Sequence, residues 1–253
     1  MNKQILKLIA QRALPAPVHR WLGSQLQGAN YRPPTGMVNF GSLRRLKPIS
    51  PAFGYDRGLP IDRYYLENFL AHHADDIKGR VLEIGDNSYT RKFGGDRVTK
   101  SDVLHIMEGN SEATIVGDLT SADHIPSDAF DCFVLTQTLH LIYDVKVALK
   151  TIHRILKPGG VLLATFPGIS QIANDQWGDY WYWGFTTLSA RRMFEEVFPT
   201  ANLKIETYGN VLSATAFLQG VATQELSQQE LDYRDRAYEV IIAVNAAKPE
   251  VTL

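Results

Sequence analysis

The sequence predicts an α/β fold in which a doubly wound, mostly parallel sheet carries helices on both faces. Two observations lead to this prediction. Short apolar runs of strand length alternate with amphipathic segments of helix length from about residue 60 to residue 248, as in a parallel sheet wound by crossover helices. In addition, the helix predicted to end at Leu156 is followed by Lys157-Pro-Gly-Gly160, a stop signal and a turn that lead into another apolar run.

The individual elements follow from the same patterns in chain order. Apolar residues at helical spacing predict a helix from an N-cap at Asp62 to about His73. Further helices are predicted over residues 145–156, 188–198 and 212–224. The helix over residues 188–198 has Thr186 or Thr187 as its expected cap. The predicted strands are residues 80–85, 97–102, 113–118, 130–136, 161–166, 203–208 and 238–246.

Two regions differ in composition. We expect residues 1–59 to form a basic N-terminal helix, over residues 1–12, with an irregular extension rich in proline and glycine. We expect residues 60–253 to form one domain with an aromatic insertion near residues 170–187. Eight of the 26 lysines and arginines, but none of the 27 acidic residues, lie in residues 1–50. Such a segment packs on an acidic body, makes peripheral contact with a membrane or a partner, or is a cleaved transit peptide.

The composition also excludes several classes of protein. No apolar run approaches the roughly 20 residues of a membrane-spanning helix. The single cysteine, Cys132, excludes a disulfide framework and a cysteine-rich metal site, so we expect no metal and a cytoplasmic location. Residues 60–248 contain no basic stripe interleaved with aromatic residues. We therefore expect a small-molecule partner and no nucleic acid; the oligomeric state is not predicted.

Polar residues follow the predicted strands at the edge where ligands bind in such sheets. Asp102 follows the second strand and lies 17 residues after Gly85, close to the spacing at which an acidic residue binds nucleotide ribose. Asp118 closes the third strand and Gln137 follows the fourth. The carboxyl ends of parallel strands meet where the strand order reverses, so these side chains are candidates for one ligand site.

Taken in order, four segments resemble the class I (Rossmann-like) S-adenosylmethionine-dependent methyltransferase family, particularly its members that act on small molecules. The resemblance covers roughly residues 60–200 and implies a seven-stranded sheet with S-adenosylmethionine as cofactor. The segments that carry it are Val81-Leu-Glu-Ile-Gly85, Val116-Gly-Asp118, Phe130-Asp131 leading into Leu135-Thr-Gln137, and Leu156-Lys-Pro-Gly-Gly-Val-Leu-Leu163.

The resemblance also implies roles for single residues. Glu83 and Gly85 would belong to the cofactor loop, and Asp102 would hold the ribose. Asp118 would meet the adenine amino group, while Thr136 and Gln137 would line the methionine end.

The first loop departs from the family pattern, because Gly85-Asp86-Asn87-Ser88 has one glycine where relatives have several. Asn87 tolerates left-handed backbone geometry better than most residues, so we expect it to replace the second glycine, with Asp86 beside it at the cofactor. A relative that has lost the cofactor remains the alternative.

Basic and acid–base residues flank this predicted site. His140 lies just past the fourth strand and is the candidate general base; alternatively, it hydrogen-bonds the backbone at a helix start. The segment over residues 53–65 is expected to close over the cofactor. Arg57 or Arg63 would meet its carboxylate and Tyr64 or Tyr65 its methionyl part, unless these residues form surface ion pairs and core contacts.

Residues 177–185 contain six aromatic side chains. Flat aromatic faces suit a sugar, an aromatic ring or a cationic amine, so this segment forms either an acceptor pocket, a hydrophobic lid or both. The predicted function is S-adenosylmethionine-dependent methylation of a small molecule, with O-methylation of a sugar or secondary metabolite favoured. The alternative is an inactive, methyltransferase-like protein that binds a partner.

Overall fold

The computed structural model describes Pro15, Val18, Trp21, Gln25 and residues 31–250. The helix predicted over residues 1–12 lies outside the described residues. The chain divides into two compact units, Met1–Leu46 and Lys47–Leu253. In the smaller unit, a 3₁₀ turn spans Gly41–Leu43. The larger unit begins 13 residues before the predicted boundary at residue 60.

Residues 47–59 belong to the larger unit because their backbone is bonded to it. The amides of Ile49 and Ser50 both donate to the carbonyl of Gln219, at 2.8 and 3.1 Å. The irregular path predicted for this segment is therefore stabilised by hydrogen bonds to a turn far along the chain.

The larger unit contains a seven-stranded sheet with the order β3-β2-β1-β4-β5-β7-β6. Only β7 runs antiparallel to its neighbours, and the predicted doubly wound, mostly parallel fold is confirmed. The strands are β1 (Gly79–Ile84), β2 (Val98–His105), β3 (Ile115–Val116), β4 (Phe130–Thr136), β5 (Leu156–Pro167), β6 (Leu203–Tyr208) and β7 (Ile241–Ala247).

Helices cover both faces of this sheet, and their caps explain where they begin. They are α1 (Ile61–His72), α2 (Val145–Ile155), α3 (Thr187–Glu195), α4 (Val211–Leu218) and α5 (Gln228–Asp232). Thr186 caps α3 as predicted and forms a capping box with Ser189. The N-cap of α1 is Pro60 rather than Asp62. Among the described residues, no helix is long and apolar enough to cross a membrane.

The alternation of side chains along each strand produces two hydrophobic cores. In β4, Phe133 and Leu135 join the core under α2 and α3. Cys132 and Val134 point to the opposite face and join the core under α1 and α4. Because successive side chains of a strand point to opposite faces, a strand covered on both sides is apolar throughout.

The connections at the start of the sheet are short. Residues between β1 and β2 form a π-helical turn (Thr90–Gly94) and a 3₁₀ turn (Gly95–Arg97), and no helix separates β2 from β3. β2 extends to His105 rather than stopping at Asp102, because the apolar side chains of Val103 and Leu104 are buried and continue the pairing with β1.

The Leu-Lys-Pro-Gly-Gly segment forms the irregular first part of β5 rather than a separate turn. Gly159 has a φ of +75°, a conformation that glycine adopts without strain. A Cβ on Gly160 would lie 2.8 Å from the carbonyl oxygen of Lys157 and 2.9 Å from that of Phe130. The Lys157 ammonium lies 2.8 Å from the Asp131 carboxylate, which links this segment to β4.

Candidate functional site

A cavity of about 970 Å³ opens at the carboxyl ends of β1, β2 and β4. Its size is near the upper end of the range for small-molecule sites. The chain turns from β1 to β2 on one side and to β4 on the other, so the cavity lies at the point where the strand order reverses. The sequence predicted this location.

The loop after β1 presents its backbone to the cavity. Gly85 has a φ of +83°, and a Cβ built on it would have no heavy atom within 4 Å. Its amide donates to the carbonyl of Leu104 at 3.0 Å, and its carbonyl accepts from Asn110 Nδ2 at 2.6 Å. The single glycine of this loop is therefore fixed in an orientation that leaves space beside its Cα.

Glu83 organises the residues that follow this loop. Its carboxylate is 2% exposed and accepts hydrogen bonds from the amides of Tyr89 and Thr90, at 3.2 and 2.7 Å. Burial raises the pKa of Glu83 to about 7, since a charge is costly away from water. The side chain contacts the cavity, so its charge will respond to a ligand there.

The two residues after Gly85 have different positions. Asp86 lines the cavity and accepts a hydrogen bond from the Ser88 amide at 2.8 Å. The prediction that Asn87 replaces a glycine in left-handed geometry is wrong, because Asn87 does not have a positive φ. Its Nδ2 donates instead to Ser101 Oγ at 3.2 Å, which directs the side chain towards β2.

The predicted position of Asp102 at the end of β2 is also wrong. Asp102 lies inside the strand, is 3% exposed and does not line the cavity. Its carboxylate accepts from Arg80 Nε at 2.7 Å and lies 3.4 Å from Lys100 Nζ. Although burial opposes ionisation, these two cations lower the pKa of Asp102. At the carboxyl end of β2, the cavity is lined instead by His105, Ile106 and Met107.

This position leads to a prediction for Asp102. We expect Asp102→Ala to destabilise the fold by about 2 kcal/mol, below the range for fully buried pairs because the Arg80 side chain is 31% exposed. Binding of S-adenosylhomocysteine should stay unchanged. Chemical denaturation and calorimetry measure the two effects. A tenfold loss of affinity in Asp102→Asn with unchanged stability would contradict the structural role.

The other predicted strand-end residues do reach the cavity. Asp118, Thr136 and Gln137 all line it. The Asp118 carboxylate accepts from the amide of Thr120 at 2.8 Å, which fixes its direction. Gln137 has a φ of +47° and is held by a bond from its amide to the Thr165 carbonyl at 2.7 Å.

Four residues of the segment 53–65 were predicted to contact the cofactor, and of these only Arg63 lines the cavity. Arg57 instead forms an ion pair with Glu225, Tyr64 donates to Asp232 at 2.6 Å, and Tyr65 is a core residue. Burial works against the charge of Arg63, but the neighbouring carboxylate outweighs it and raises the pKa of Arg63. That carboxylate belongs to Asp62, which is 6% exposed and whose own pKa is raised by burial. Arg63 is thus a cation at the cavity wall.

His140 lines the cavity but is poorly suited to accept a proton. It is 2% exposed, in a 3₁₀ turn over Leu139–Leu141. Burial, assisted by the charge of Arg63, lowers the pKa of His140 to about 3, so the imidazole is neutral near pH 7. Its buried Nδ1 has no hydrogen-bond partner, contrary to the alternative of a backbone-bonded histidine. General bases work best with a pKa near the operating pH.

The aromatic segment divides between the cavity and the surface. Trp177, Tyr180 and Trp181 line the cavity. Tyr182 and Trp183 pack on Tyr143, with ring centroids 5.4 and 5.9 Å apart. The segment is therefore both a wall and a lid. It is attached to the site by its backbone, since the amides of residues 182 and 183 donate to the carbonyl of residue 140 at 2.9 and 3.3 Å.

Phe217 of α4 and Ile241 of β7 are among the cavity residues that sequence reasoning missed. Each belongs to an element that the apolar pattern predicts correctly. Periodicity alone does not distinguish a core position from one at the wall of a cavity.

Comparisons with known proteins agree with this site. Residues 70–164 match the family model described as a methyltransferase domain. A stretch of 104 residues is 38% identical to the ubiquinone/menaquinone biosynthesis C-methyltransferase UbiE of Haemophilus ducreyi, which is 38% of this chain and 37% of that protein. The chain thus matches little more than a third of the length of this relative.

One solved structure has a similar fold, and a second superposes less well. A SAM-dependent methyltransferase from Archaeoglobus fulgidus superposes with a TM-score of 0.51 at 13% identity, covering 74% of this chain and 94% of that chain. An S-adenosylmethionine-dependent methyltransferase from Mesorhizobium loti gives 0.46 at 18% identity, with 77% and 100% covered. The family model thus indicates a methyltransferase domain over residues 70–164, and the strand order agrees with the fold of the Archaeoglobus fulgidus structure.

Proposed function

We propose that the protein transfers a methyl group from S-adenosylmethionine to a hydroxyl of a small molecule, of the sugar or secondary-metabolite class. One observation carries this proposal. A single cavity joins Gly85 and Asp118, on the family's cofactor side, to Trp177 and Trp181 of the aromatic segment. Cofactor and acceptor would therefore meet in one shared space.

The residues present fit the cofactor. Beside Gly85 lies open space, as a closely approaching ligand requires. Asp86 and Glu83 would flank it there, and Asp118 would accept from the adenine amino group. Residues 105–107 would take the ribose region in place of Asp102.

The methionine end of the cofactor would extend towards β4. Thr136 and Gln137 would line it, and Arg63 would bind the carboxylate, a pairing that suits the guanidinium fork. When bound, the cofactor would supply a methyl group attached to a positively charged sulfur. Once the methyl group is transferred, the rest of the cofactor would leave as a neutral thioether.

The side chains at the acceptor end would align the acceptor and exclude water, which are the main requirements of an in-line displacement. A hydroxyl acceptor would bond the transferred methyl carbon through an electron pair of its oxygen, the pair of the broken carbon–sulfur bond would stay on the cofactor sulfur, and the hydroxyl proton would pass to bulk solvent when the product leaves. His140 is neutral, so we assign it the role of a hydrogen-bond partner that orients the hydroxyl rather than that of a strong base.

Titration with S-adenosylmethionine and S-adenosylhomocysteine tests this function. Ligand at about 100 times its dissociation constant should stabilise the fold by roughly 2.7 kcal/mol. We expect Asp118→Ala to reduce the shift, because the adenine contact is lost. Asp123→Ala, an exposed carboxylate outside the cavity, is the matched control. Equal shifts in both variants would contradict the role of Asp118.

Two alternative functions predict different experimental results. The similarity to a C-methyltransferase favours carbon as the second candidate acceptor atom. NMR spectroscopy of the product separates a methyl ether from a methylated carbon, which have the same mass. The single glycine of the cofactor loop favours an inactive binding module, which predicts no stabilisation by either ligand. In that case, deletion of the basic residues 1–30 should abolish a partner interaction without unfolding the domain.

A further inference from the structure

Four rings from four parts of the chain form one row along the cavity. The imidazole of His140 and the indole of Trp181 have centroids 4.2 Å apart. Trp181 is nearly parallel to Phe53, with an angle of 11° and a centroid distance of 6.4 Å. Phe53 in turn contacts Phe217 at 6.0 Å. The row thus brings the segment before α1, the aromatic segment, α4 and the turn after β4 to one wall.

Phe53 is held in this row at a conformational cost. Its φ is +56°, which is rare for a bulky side chain. The next residue, Gly54, lies against the turn at Gly220, where a Cβ would be 3.1 Å from the carbonyl oxygen. Together with the hydrogen bonds from the amides of Ile49 and Ser50 to Gln219, this contact anchors the segment on both sides of Phe53. Strained residues that the surroundings over-determine occur preferentially at ligand sites.

His140 contributes an unsatisfied polar atom to the same row. Its Nδ1 is buried without a hydrogen-bond partner, and the tilted ring of Trp181 packs against the imidazole. Buried polar groups are costly to leave unpaired. A ligand hydroxyl that enters beside Trp181 would supply the missing partner.

We infer that Phe53, Trp181 and His140 form an acceptor subsite for a flat, uncharged ring that carries a hydroxyl group. This inference rests on the proposed function and narrows its acceptor to an aromatic alcohol rather than a sugar. The parallel rings of Phe53 and Trp181 offer faces on which an aromatic ring stacks. At 6.4 Å they are slightly too close to hold a ring between them, so Trp181 moves outward when the acceptor binds.

The uncharged character of the acceptor follows from the polar groups near the row. With the cofactor bound, the cation of Arg63 would be shared between Asp62, at 3.7 Å, and the cofactor carboxylate, so a charged acceptor gains no free counter-ion from it. The neutral imidazole of His140 donates or accepts one hydrogen bond, which suits one hydroxyl. A sugar would bring several hydroxyl groups to a wall made mainly of ring carbon.

Calorimetry on the protein saturated with S-adenosylhomocysteine tests the subsite with 2-naphthol, naphthalene and methyl glucoside as probes. We expect 2-naphthol to bind about fivefold more tightly than naphthalene, because only the former pairs with His140. Methyl glucoside should not bind measurably. Trp181→Leu should weaken 2-naphthol binding about tenfold. Trp183→Leu, in the same segment but outside the cavity, is the matched control.

A thermodynamic cycle isolates the contribution of His140. His140→Phe preserves a ring but removes both nitrogens, so the fivefold preference for 2-naphthol over naphthalene should disappear while naphthalene binding persists. Phe53→Leu gives an independent variant that should weaken both aromatic probes equally.

The results of these binding experiments test the proposed function and the acceptor subsite separately. If wild-type protein does not bind S-adenosylhomocysteine, the proposed function fails. If it binds S-adenosylhomocysteine but does not prefer 2-naphthol to methyl glucoside, the subsite is wrong and the proposed function stands. Equal losses in Trp181→Leu and Trp183→Leu also overturn the subsite.

Discussion

Gly85→Ala should weaken S-adenosylhomocysteine binding about 100-fold, while Gly95→Ala leaves binding unchanged. Both glycines have a positive φ, +83° and +55°, and a Cβ on either would have no heavy atom of the protein within 4 Å. Both substitutions therefore impose backbone strain without an internal clash, and the strain is greater at Gly95, whose ψ of −135° lies outside the left-handed region that other residues can adopt. They differ in binding because only Gly85 lines the cavity, where an added methyl group would occupy the space of the cofactor. Overpacking of a fitted site costs up to about 3 kcal/mol, which corresponds to roughly 100-fold in affinity.

Isothermal titration calorimetry on both variants measures this difference. Thermal unfolding without ligand provides the control, since Gly95→Ala should lose at least as much stability as Gly85→Ala, for which we expect a loss of about 1–2 kcal/mol. Normal binding by Gly85→Ala would place the cofactor away from this loop. Loss of binding in both variants would attribute the effect to general destabilisation.

Glu83 should make the ligand-free protein less stable as the pH rises. Its pKa in the folded protein is about 7, compared with the ordinary value of 4.5. The folded state therefore binds more protons than the unfolded state between these values, and the free energy of unfolding falls across this window. The loss is about 3 kcal/mol, at 1.36 kcal/mol for each pKa unit. It is absent below about pH 4.5 and complete above about pH 7.

Chemical denaturation at a series of pH values tests this prediction by the difference between wild type and Glu83→Gln. The glutamine keeps an oxygen acceptor for the amides of Tyr89 and Thr90 but does not titrate. Its unfolding free energy should lack the loss of about 3 kcal/mol between pH 4.5 and pH 7. The same decline in both proteins would assign the titration to other groups.

Binding of S-adenosylmethionine should offset the loss of stability that ionisation of Glu83 causes. S-adenosylmethionine carries a positive sulfonium, which favours the ionised form of a nearby carboxylate. We therefore expect its affinity to rise between pH 5 and pH 7 in the wild type and to be flat in Glu83→Gln. An uncharged analogue of the sulfonium, S-adenosylhomocysteine, should show a smaller rise.

The central part of the fold could be predicted because burial determines its sequence. The predicted strands at residues 130–136 and 203–208 coincide with β4 and β6. β4 is covered by helices on both faces, so its central residues 132–135 form a continuous apolar run. The Thr186 cap of α3 was likewise predictable, because capping depends on a few adjacent residues.

The errors at the site have a different physical origin. A polar residue at the end of an apolar run suggests the end of a strand, but Asp102 stays inside β2 because Arg80 from the neighbouring strand provides its counter-charge. This partner lies 22 residues earlier, beyond any local pattern. The neutral state of His140 also depends on burial beneath Trp181 and on the charge of Arg63, so the residue could be predicted but its charge could not.

The position of β7 has a consequence for how the protein is made. β7 pairs with both β5 and β6, yet it is the last of the seven strands to leave the ribosome. Until residues 241–247 emerge, the nascent chain has an open edge at β5 and an isolated β6, each with unpaired backbone amides and carbonyls. Such edges are templates for aggregation. The sheet therefore cannot be completed before these residues emerge, and we expect chaperones that shield exposed strands to increase the yield of folded protein.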